Sequence, residues 1–405
     1  MEFLPDADLI SIFGLLDLKS QLNMAKVHSR FYSLMPLVWG SKVSLSLFEL
    51  EISSGDLRHY LSIIRTKLQV LRLNMINRES FEILTSYVFP NAHDFRFSTE
   101  SFHLKDADIL MIIKAFPQLR TFSPVGHFTG KYFAYIPHLE NLRITYCGGF
   151  EGNNLVHIMQ AKQLKTLNLD LFGCDEDILD IDLPTDGMKS IEVLICDEEE
   201  FSIWFMNNLK HLKNLKQLTI RGKNNPSKLL DIAEKLKAVG RHRLKQLEVH
   251  NACNSYFDAE RLQLDVETFV LNYVKNLFPS RCNITHPFRH IKRLLFYSCN
   301  IEDADCFGHF LQLCRHVDVI AFEDCSFGFQ HYTFSAPRIA RHRATALNMY
   351  LEGTTFVKHF EDGAPMTWSV EGEDRLFKLH LTKSKIHCVG QRNISINFYP
   401  AETEI

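Results

Sequence analysis

The sequence lacks the features that mark several large classes of protein. No apolar run reaches 18 residues, so we expect no membrane-spanning helix. Neither sign of charge dominates, because 45 Lys and Arg residues stand against 48 Asp and Glu residues, a net charge of -3. This balance argues against a protein dedicated to binding phosphate backbones. No P-loop, G-x-G-x-x-G, G-x-S-x-G or H-E-x-x-H motif occurs, and we predict that the chain is not an enzyme and needs no cofactor.

Export signals and disulfide patterns are also missing. Glu2, Asp6 and Asp8 stand where a signal peptide has basic residues, and no A-x-A cleavage site follows. The ten cysteines include no C-x-x-C pair, so in such a chain we expect reduced thiols. The sequons at Asn283 and Asn393 are then chance matches. These absences predict a protein of the cytoplasm, the nucleus or both.

Phenylalanine and a recurring leucine pattern are what the sequence has in quantity. The 32 Phe residues imply a large buried area, and 405 residues are too many for most single compact cores. The template L-x-x-L-x-L, with loose apolar substitution, has thirteen copies, which begin at positions 68, 92, 119, 139, 164, 191, 215, 244, 266, 291, 317, 346 and 376. Their spacing of roughly 26 residues lies inside the range of leucine-rich repeats. The copy at 266–271 is cryptic and divides an otherwise double-length gap.

A small side chain with a hydrogen-bond donor follows several copies of the template. Cys147, Cys299 and Cys325 occupy this place, and Thr354 and Ser384 supply a hydroxyl there instead. The chain is expected to turn inward at this point, so such a side chain can satisfy backbone carbonyls left in the turn.

Amphipathic helical stretches alternate with the strand signals. Apolar residues recur at i, i+3, i+4 and i+7 in the segments 106–116, 153–161, 227–239 and 303–314. A strand and a helix repeated in this way predict an α/β solenoid over residues 41–400. We expect a curved horseshoe with parallel strands on its concave face and helices on its convex face. A doubly wound α/β domain is the less favoured alternative, because it would need more varied spacing and strands buried on both faces.

The last segment of the chain, residues 385–405, is predicted to contain a C-terminal cap. The sequence ISINF at 394–398 fits either a final strand or part of that cap.

The first forty residues do not fit the repeat and predict three short helices. Pro5 sets the start of the first helix, and Asp6 is expected to cap it. Asp17 and Ser20 mark the start of the second helix. The first helix carries one apolar arc, formed by Leu9, Ile10, Ile12, Phe13 and Leu16.

An apolar stripe of Val27, Phe31 and Leu34 predicts the third helix, which Pro36 is expected to end. Three helices in so few residues cannot bury all their apolar groups among themselves. We therefore expect a partner surface for Leu4, Pro5, Leu16, Leu18 and Trp39.

This N-terminal stretch resembles the F-box, whose pattern is close to L-P-x-E-[LI]-x-x-x-I-F-x-x-L-x-x-x-D-L, then V-C-[KR]-x-[WF]-x-x-L and a final L-W. The chain departs from that pattern at Ala7, His28 and Ser29, where the family prefers Glu, Cys and a basic residue. The residues that match are Leu4, Pro5, Leu9, Ile12, Phe13, Leu16, Leu18, Val27, Phe31, Leu34 and Trp39. An F-box over residues 1–40 followed by cysteine-type leucine-rich repeats is itself a family arrangement, so the resemblance extends over nearly the whole chain.

What the resemblance implies is a non-catalytic substrate-recognition subunit of an SCF (Skp–cullin–F-box) ubiquitin ligase. The F-box would dock on the adaptor subunit, and through it on the cullin and RING subunits, while the repeats hold a protein substrate. Adaptor contacts are then expected from Leu4, Pro5, Leu9, Phe13, Leu16, Leu18, Val27, Phe31 and Trp39. Two alternatives stay open: a repeat scaffold without a ligase role, and a purely structural helical cap on the open end of the solenoid.

Substrate contacts are expected on the strand face of the repeats. In each strand the template leucines turn to the core and their neighbours turn to the concave face. The first strands place Arg72, Arg96 and Arg143 there. Because exposed Tyr and Arg are common anchors for protein partners, the predicted substrate contacts are Arg221, His250, Arg293, Tyr297, Tyr350 and His380.

Metal and nucleic-acid sites are not predicted. Metal ligands usually come in tight pairs, and the histidines and cysteines of one C-terminal stretch do not: His309, His316, Cys299, Cys306, Cys314 and Cys325. Basic stretches at 241–245, 288–293 and 338–343 are interrupted, and the acidic stretches 175–182 and 196–200 balance them.

Overall fold

In the computed structural model, helices and parallel strands alternate along the described part of the chain. That part comprises residues 4–48, 52–98, 102–145, 147–170, 181–222, 236, 244–250, 266–273, 290–329, 331–358, 366–382, 385–388 and 394–397. The chain divides into two compact units, residues 1–191 and residues 192–405. Both units are α/β, as the sequence predicts. Within each unit the strands are paired in parallel.

The first unit begins with three helices and continues with strands that alternate with helices. Its helices are α1 (Asp6–Gly14), α2 (Leu18–Val27), α3 (Ser29–Trp39), α4 (Ser54–Ile64), α5 (Arg78–Thr85), α6 (Asp106–Ala115), α7 (Gly152–Ala161) and α8 (Thr185–Met188), with a 3-10 turn at Phe133–Tyr135. Its strands are β1 (Ser44–Phe48), β2 (Val70–Asn74), β3 (Asp94–Ser98), β4 (Thr121–Ser123), β5 (Asn141–Thr145) and β6 (Thr166–Asp170). Each of these strands pairs with the next along the chain.

The pairing register of the first unit places the repeating apolar residues opposite one another. Leu71 of β2 lies opposite Leu45 of β1 on one side and Phe95 of β3 on the other. β1 is one more copy of the repeat, ahead of the first copy that the sequence pattern predicts. The pattern misses it because Lys42 stands where the first leucine of the template belongs.

Phenylalanine fills the core of the first unit. The ring of Phe116 stacks on Phe89 with centroids 5.0 Å apart and meets Phe95 at 5.1 Å. Phe122 meets Phe133 edge-on at 5.2 Å. All five are buried, so aromatic pairs of this kind account for much of the unusual phenylalanine content.

The three N-terminal helices pack together, and their starting points follow the sequence only in part. Asp17 caps α2 by accepting a 2.8 Å hydrogen bond from the backbone N–H of Ser20, as predicted. The prediction that Asp6 caps α1 is wrong, because Pro5 occupies the N-cap position without a capping side chain. The Asp6 carboxylate instead accepts hydrogen bonds from the guanidinium of Arg30, the shorter one at 2.6 Å.

The end of α3 also differs from the prediction. Pro36 does not end the helix, which continues to Trp39. The Pro36 carbonyl accepts a 2.9 Å hydrogen bond from the Gly40 N–H, so the helix forgoes only the bond that proline cannot donate. Val27 ends α2 and is exposed, so it does not belong to the apolar stripe of α3.

The second unit carries its own series of parallel strands. Those of its main sheet are β7 (Val193–Asp197), β8 (Gln217–Arg221), β9 (Leu244–His250), β10 (Val266–Asn272), β11 (Arg293–Tyr297), β13 (Val319–Glu323), β16 (Leu347–Glu352) and β19 (Phe377–Thr382). Smaller sheets contain β12 (Asn300–Ile301), β14 (Ser326–Phe327), β15 (His331–Ser335), β17 (Thr355–Lys358), β18 (Met366–Glu371), β20 (Lys385–Cys388) and β21 (Ile394–Asn397). Helical segments lie at Glu198–Glu200, Phe201–Phe205, Met206–His211, Ala304–Leu313 and Ala336–Ala340.

The residues of the cryptic copy, 266–271, lie in strand β10. It pairs with β9 on one side and β11 on the other, with Phe269 opposite Leu247 and Leu294. The predicted helix at 303–314 is confirmed within one residue, and Asp303 caps it through the Cys306 N–H. The predicted helix at 227–239 lies, apart from residue 236, outside the described residues.

Strands occur where helices were expected in the last three repeats. β15, β18 and β21 form a separate parallel sheet, so each of these repeats contains three strands. Aromatic residues favour this arrangement, since Tyr332 and Phe334 of β15 and Trp368 of β18 pack on one another. The segment at 394–398 is therefore a strand, β21, over the residues that the structure describes.

At the turns after three strands, Cys147, Cys299 and Cys325 donate hydrogen bonds to backbone carbonyls, as the sequence predicts. The thiol of Cys325 donates to the carbonyls of Phe296 and Glu323 at 3.3 Å and 3.4 Å. The thiol of Cys299 donates to the Leu271 carbonyl at 3.5 Å. Burial raises the pKa of Cys325 far above its ordinary range, so this thiol stays protonated and can donate. Ser384, predicted for the same role, lies outside the described residues.

Membrane crossing finds no support in the helices. Across the described ranges, every helix is too short or too polar to span a bilayer.

Candidate functional site

The N-terminal helical module, residues 4–40, has a closed core of its own. Leu9, Phe13 and Phe31 are buried, and the rings of Phe13 and Phe31 meet edge-on at 5.1 Å. This packing positions α1 against α3, and Leu22 and Ala25 of α2 are buried as well, whereas Ile12 of α1 and Val27 of α2 stay exposed. The buried set among the predicted adaptor contacts is Leu9, Phe13, Phe31 and Trp39.

Trp39 finds its packing surface in the chain itself, contrary to the expectation that it needs an external partner. It is fully buried, and its ring meets Tyr60 of α4 edge-on at 5.1 Å. Its indole N–H donates a 2.8 Å hydrogen bond to the side chain of Gln21. Tyr60 is buried too, and its burial raises its pKa to about 12. Trp39 thus joins the helical module to the first helix of the repeats.

Apolar side chains that this core does not use remain exposed on the module. Leu15, between α1 and α2, is 88% exposed, and Val27 at the end of α2 is 67% exposed. Such exposure of several large apolar side chains on one small module is typical of a surface that binds a partner. The exposed set is Leu4, Pro5, Ile12, Leu15, Val27, Tyr32 and Leu37, with Leu16 and Leu18 half-buried.

Two of these residues are held in place by α3. Arg30 donates a 2.6 Å hydrogen bond to the Leu4 carbonyl in addition to its ion pair with Asp6. These contacts fix Leu4 and Pro5 against the start of α3. Leu15 escaped the sequence analysis because the pattern that the N-terminus resembles leaves its position free.

The strand face of the second unit is the side that carries the residues alternating with the core leucines. The register brings these residues into rows that cross the strands. One row contains Arg221, His250, Asn272, Tyr297 and Glu323, each on a neighbouring strand of the main sheet. The adjacent row contains Ile195, Thr219, Glu248, Val270, Leu295, Ala321, Tyr350 and His380.

Four of the six predicted substrate contacts therefore fall into two groups of neighbours on the described strands. Arg221 and His250 are register partners, and so are Tyr350 and His380. Tyr297 lies in the row of the first pair, separated from His250 by the strand that carries Asn272. Arg293 is exposed in a third row, at the start of β11.

A hydrogen-bonded cluster surrounds His250. Its Nε2 lies 2.7 Å from Glu248 Oε1, and the Asn272 side chain donates to the same oxygen at 2.7 Å. Gln246 and Thr219 donate to the other oxygen at 3.3 Å and 3.5 Å. The hydrogen bond from His250 is the main cause that lowers the pKa of Glu248. Sequence reasoning missed Asn272, because its strand carries only the cryptic copy of the repeat.

A stacked pair lies at the far end of the same row. The rings of Tyr350 and His380 are 4.5 Å apart and nearly parallel, at 11°. Burial, and then the charge of Lys378, lower the pKa of His380. Between the stack and the Glu248 cluster the row is apolar, with Val270 buried and Leu295 and Ala321 half-buried.

This face offers both apolar and hydrogen-bonding groups for binding. A flat aromatic pair, an apolar strip and an acceptor-rich cluster can together hold a protein segment with both apolar and donor groups. Within the part of the chain that is described, no three His, Cys, Asp or Glu side chains gather to form a metal site.

The comparisons with known proteins add no family to this description. No family model matches the sequence. No curated protein matches it either.

Proposed function

We propose that the chain is the non-catalytic substrate-recognition subunit of an SCF (cullin–RING) ubiquitin ligase. In this proposal residues 1–40 act as an F-box that docks on the adaptor subunit. Residues 41–400 form a curved solenoid of leucine-rich repeats whose strand face holds a protein substrate for ubiquitination. The protein works in the cytoplasm, the nucleus or both.

One observation carries the proposal: the N-terminal helical module exposes large apolar side chains that its buried core does not use. Leu9, Phe13 and Trp39 are fully buried, so the module does not need Leu15 or Val27 for its stability. Burying one such side chain against a partner contributes about 1.5–3 kcal/mol to the free energy of binding, so several of them together can form a docking surface.

The strand face of the second unit supports the second half of the proposal. Its aromatic stack, apolar strip and polar cluster resemble the mixed composition of protein-binding surfaces. A substrate receptor needs such a surface and no catalytic groups, since other subunits of the ligase carry out the transfer of ubiquitin.

Capture of a purified Skp-type adaptor by the immobilised full-length chain tests the docking half. We expect the wild-type chain to retain the adaptor. The variants Leu15→Asp and Leu4→Ala/Pro5→Ala should lose at least about tenfold in affinity, because each removes apolar contacts from the docking surface. Val88→Ala is the matched control, since Val88 is an exposed apolar residue of the repeats.

The outcomes separate the proposal from its alternatives. No retention by the wild-type chain would favour a repeat scaffold without a ligase role. If the Leu15→Asp and Val88→Ala variants retain the adaptor equally well, docking through the exposed side chains is contradicted, even when the wild-type chain binds the adaptor.

A further inference from the structure

The strand face of the first unit carries a row of arginines. In the order of the strands from β1 to β6, the register aligns Ser46, Arg72, Arg96, Ser123, Arg143 and Asn168. Arg72 and Arg96 are direct register partners, and neighbouring strands lie ~4.8 Å apart. Arg143 lies two strands beyond Arg96, at ~10 Å on the same spacing.

The positive charge of this row is only partly compensated. Arg96 makes a two-point ion pair with Asp94, at 3.1 Å and 2.9 Å. Arg72 and Arg143 are exposed, and neither makes an ion pair with any described residue. Asp94 and Asp170 are the acidic residues that these strands carry in the two rows next to it, against three arginines in the row itself. The face therefore keeps an excess of positive charge although the whole chain has a net charge of -3.

An unsatisfied acceptor lies at the end of the same row. Asn168 is 6% exposed, and its side-chain oxygen is buried without a hydrogen-bond partner among the described residues. Its register partner on β5 is Arg143. A buried amide oxygen without a donor costs free energy, so this end of the row carries an acceptor that the described residues leave unsatisfied.

We propose that this row, the arginine row, binds an extended acidic peptide segment of a partner protein. One carboxylate lies between Arg72 and Arg96, which can each offer paired N–H donors to its oxygens. A second carboxylate, three or four residues along the peptide, reaches Arg143, because an extended chain advances ~3.3 Å per residue.

A peptide fits this row better than a nucleic acid does. The row contains no aromatic side chain on which a base could stack, and two uncompensated arginines are too few to follow a phosphate backbone. The binding of the peptide to the arginine row is independent of the proposed function. Only the assignment of the peptide to a substrate rests on that function.

Fluorescence anisotropy with the full-length chain and a labelled peptide tests the inference. The probe is a Gly/Ser peptide with two glutamates three residues apart. We expect it to bind at low salt and to dissociate as NaCl rises, since exposed charge pairs are screened. Arg72→Gln/Arg143→Gln should weaken binding at least about tenfold. Ser46→Glu, an exposed position opposite Arg72, should weaken it by placing a competing carboxylate beside that arginine.

Arg58→Gln is the control, because Arg58 is exposed on α4 and lies outside the row. The inference is overturned if the double variant binds the probe as the wild type does, or if Arg58→Gln weakens binding equally. It is also overturned if only a phosphoserine peptide binds, or if only single-stranded RNA is retained. Adaptor capture reads out the helical module separately, so loss of one activity with retention of the other shows which proposal has failed.

Discussion

Glu248 illustrates how one side chain can organise a recognition surface at the scale of single residues. Its two oxygens accept hydrogen bonds from side chains on its own strand and on both neighbouring strands, the latter from Asn272 and Thr219. These contacts orient His250 on the open face. A charged acceptor with several donors is strongly favoured over its protonated form.

We predict that this cluster makes stability depend on pH. Because the pKa of Glu248 is lowered in the folded chain, its stabilisation is present at neutral pH and is lost as the pH falls through the ordinary glutamate range and below. Glu248→Gln should lower the free energy of unfolding by about 1–2 kcal/mol at neutral pH and by less in acid. Urea unfolding at several pH values measures the difference, with the exposed Glu267→Gln as control. A pH-independent difference would contradict the prediction.

His380 gives a second residue-scale prediction. Its pKa is lowered by burial and by Lys378, so its titration midpoint in an NMR experiment should lie below the ordinary value of ~6.5. Since the unfolded chain binds the proton more readily, stability should decrease as the pH falls through the histidine range. Lys378→Gln should raise the midpoint, and an unchanged midpoint would rule out the assigned contribution of that charge.

At the scale of elements, the close approach of backbone segments makes one glycine irreplaceable. Gly126 forms parallel bridges with Leu104 and Cys147, and a Cβ at Gly126 would lie 2.5 Å from the Leu104 backbone. Gly126→Ala should therefore cost about 1–3 kcal/mol of unfolding free energy. Gly55→Ala in α4 is the matched control, because nothing lies within 4 Å of its added Cβ. Thermal unfolding of both variants checks the contrast, and equal stability would refute it.

Strand positions could be predicted from the sequence because the apolar template encodes both the core face and the period. The template located every main-sheet strand from β2 onwards. It missed β1, where Lys42 replaces the first leucine, and it could not foresee β15 and β18. Phe334 meets Phe307 of the helix Ala304–Leu313 edge-on and also packs on Trp368, and these contacts join distant parts of the sequence.

At the scale of the whole molecule, the helical module and the repeats are joined through Trp39. Trp39→Ala should lower the free energy of unfolding by about 3–5 kcal/mol, because it removes a fully buried indole and its hydrogen bond to Gln21. Leu15→Ala should leave unfolding unchanged, since that side chain is 88% exposed. Differential scanning calorimetry distinguishes the two. For the same reason, deleting residues 1–40 should destabilise the first repeat and uncover Tyr60.

The sequence predicts where the candidate surfaces lie better than it predicts which residues form them. Strand alternation correctly identified the residues of the strand face, including Arg221, His250 and Tyr350. It could not show that His250 shares an oxygen of Glu248 with Asn272, because that contact depends on the register between strands. In the helical module the matching pattern named core residues such as Phe13 together with surface residues such as Leu4, since a motif records both without distinguishing them.

The three-strand repeats at the end of the second unit have a mechanical consequence. Their strands pair with equivalent strands of the adjacent repeat, as β15 does with β18 and β18 with β21, so these backbone ladders run from one coil to the next. A pulling force along the stacking direction is shared by all the hydrogen bonds of one interface, and successive interfaces bear that force in series. The last three-strand segments should then detach one at a time under tension, each yielding a discrete step in extension.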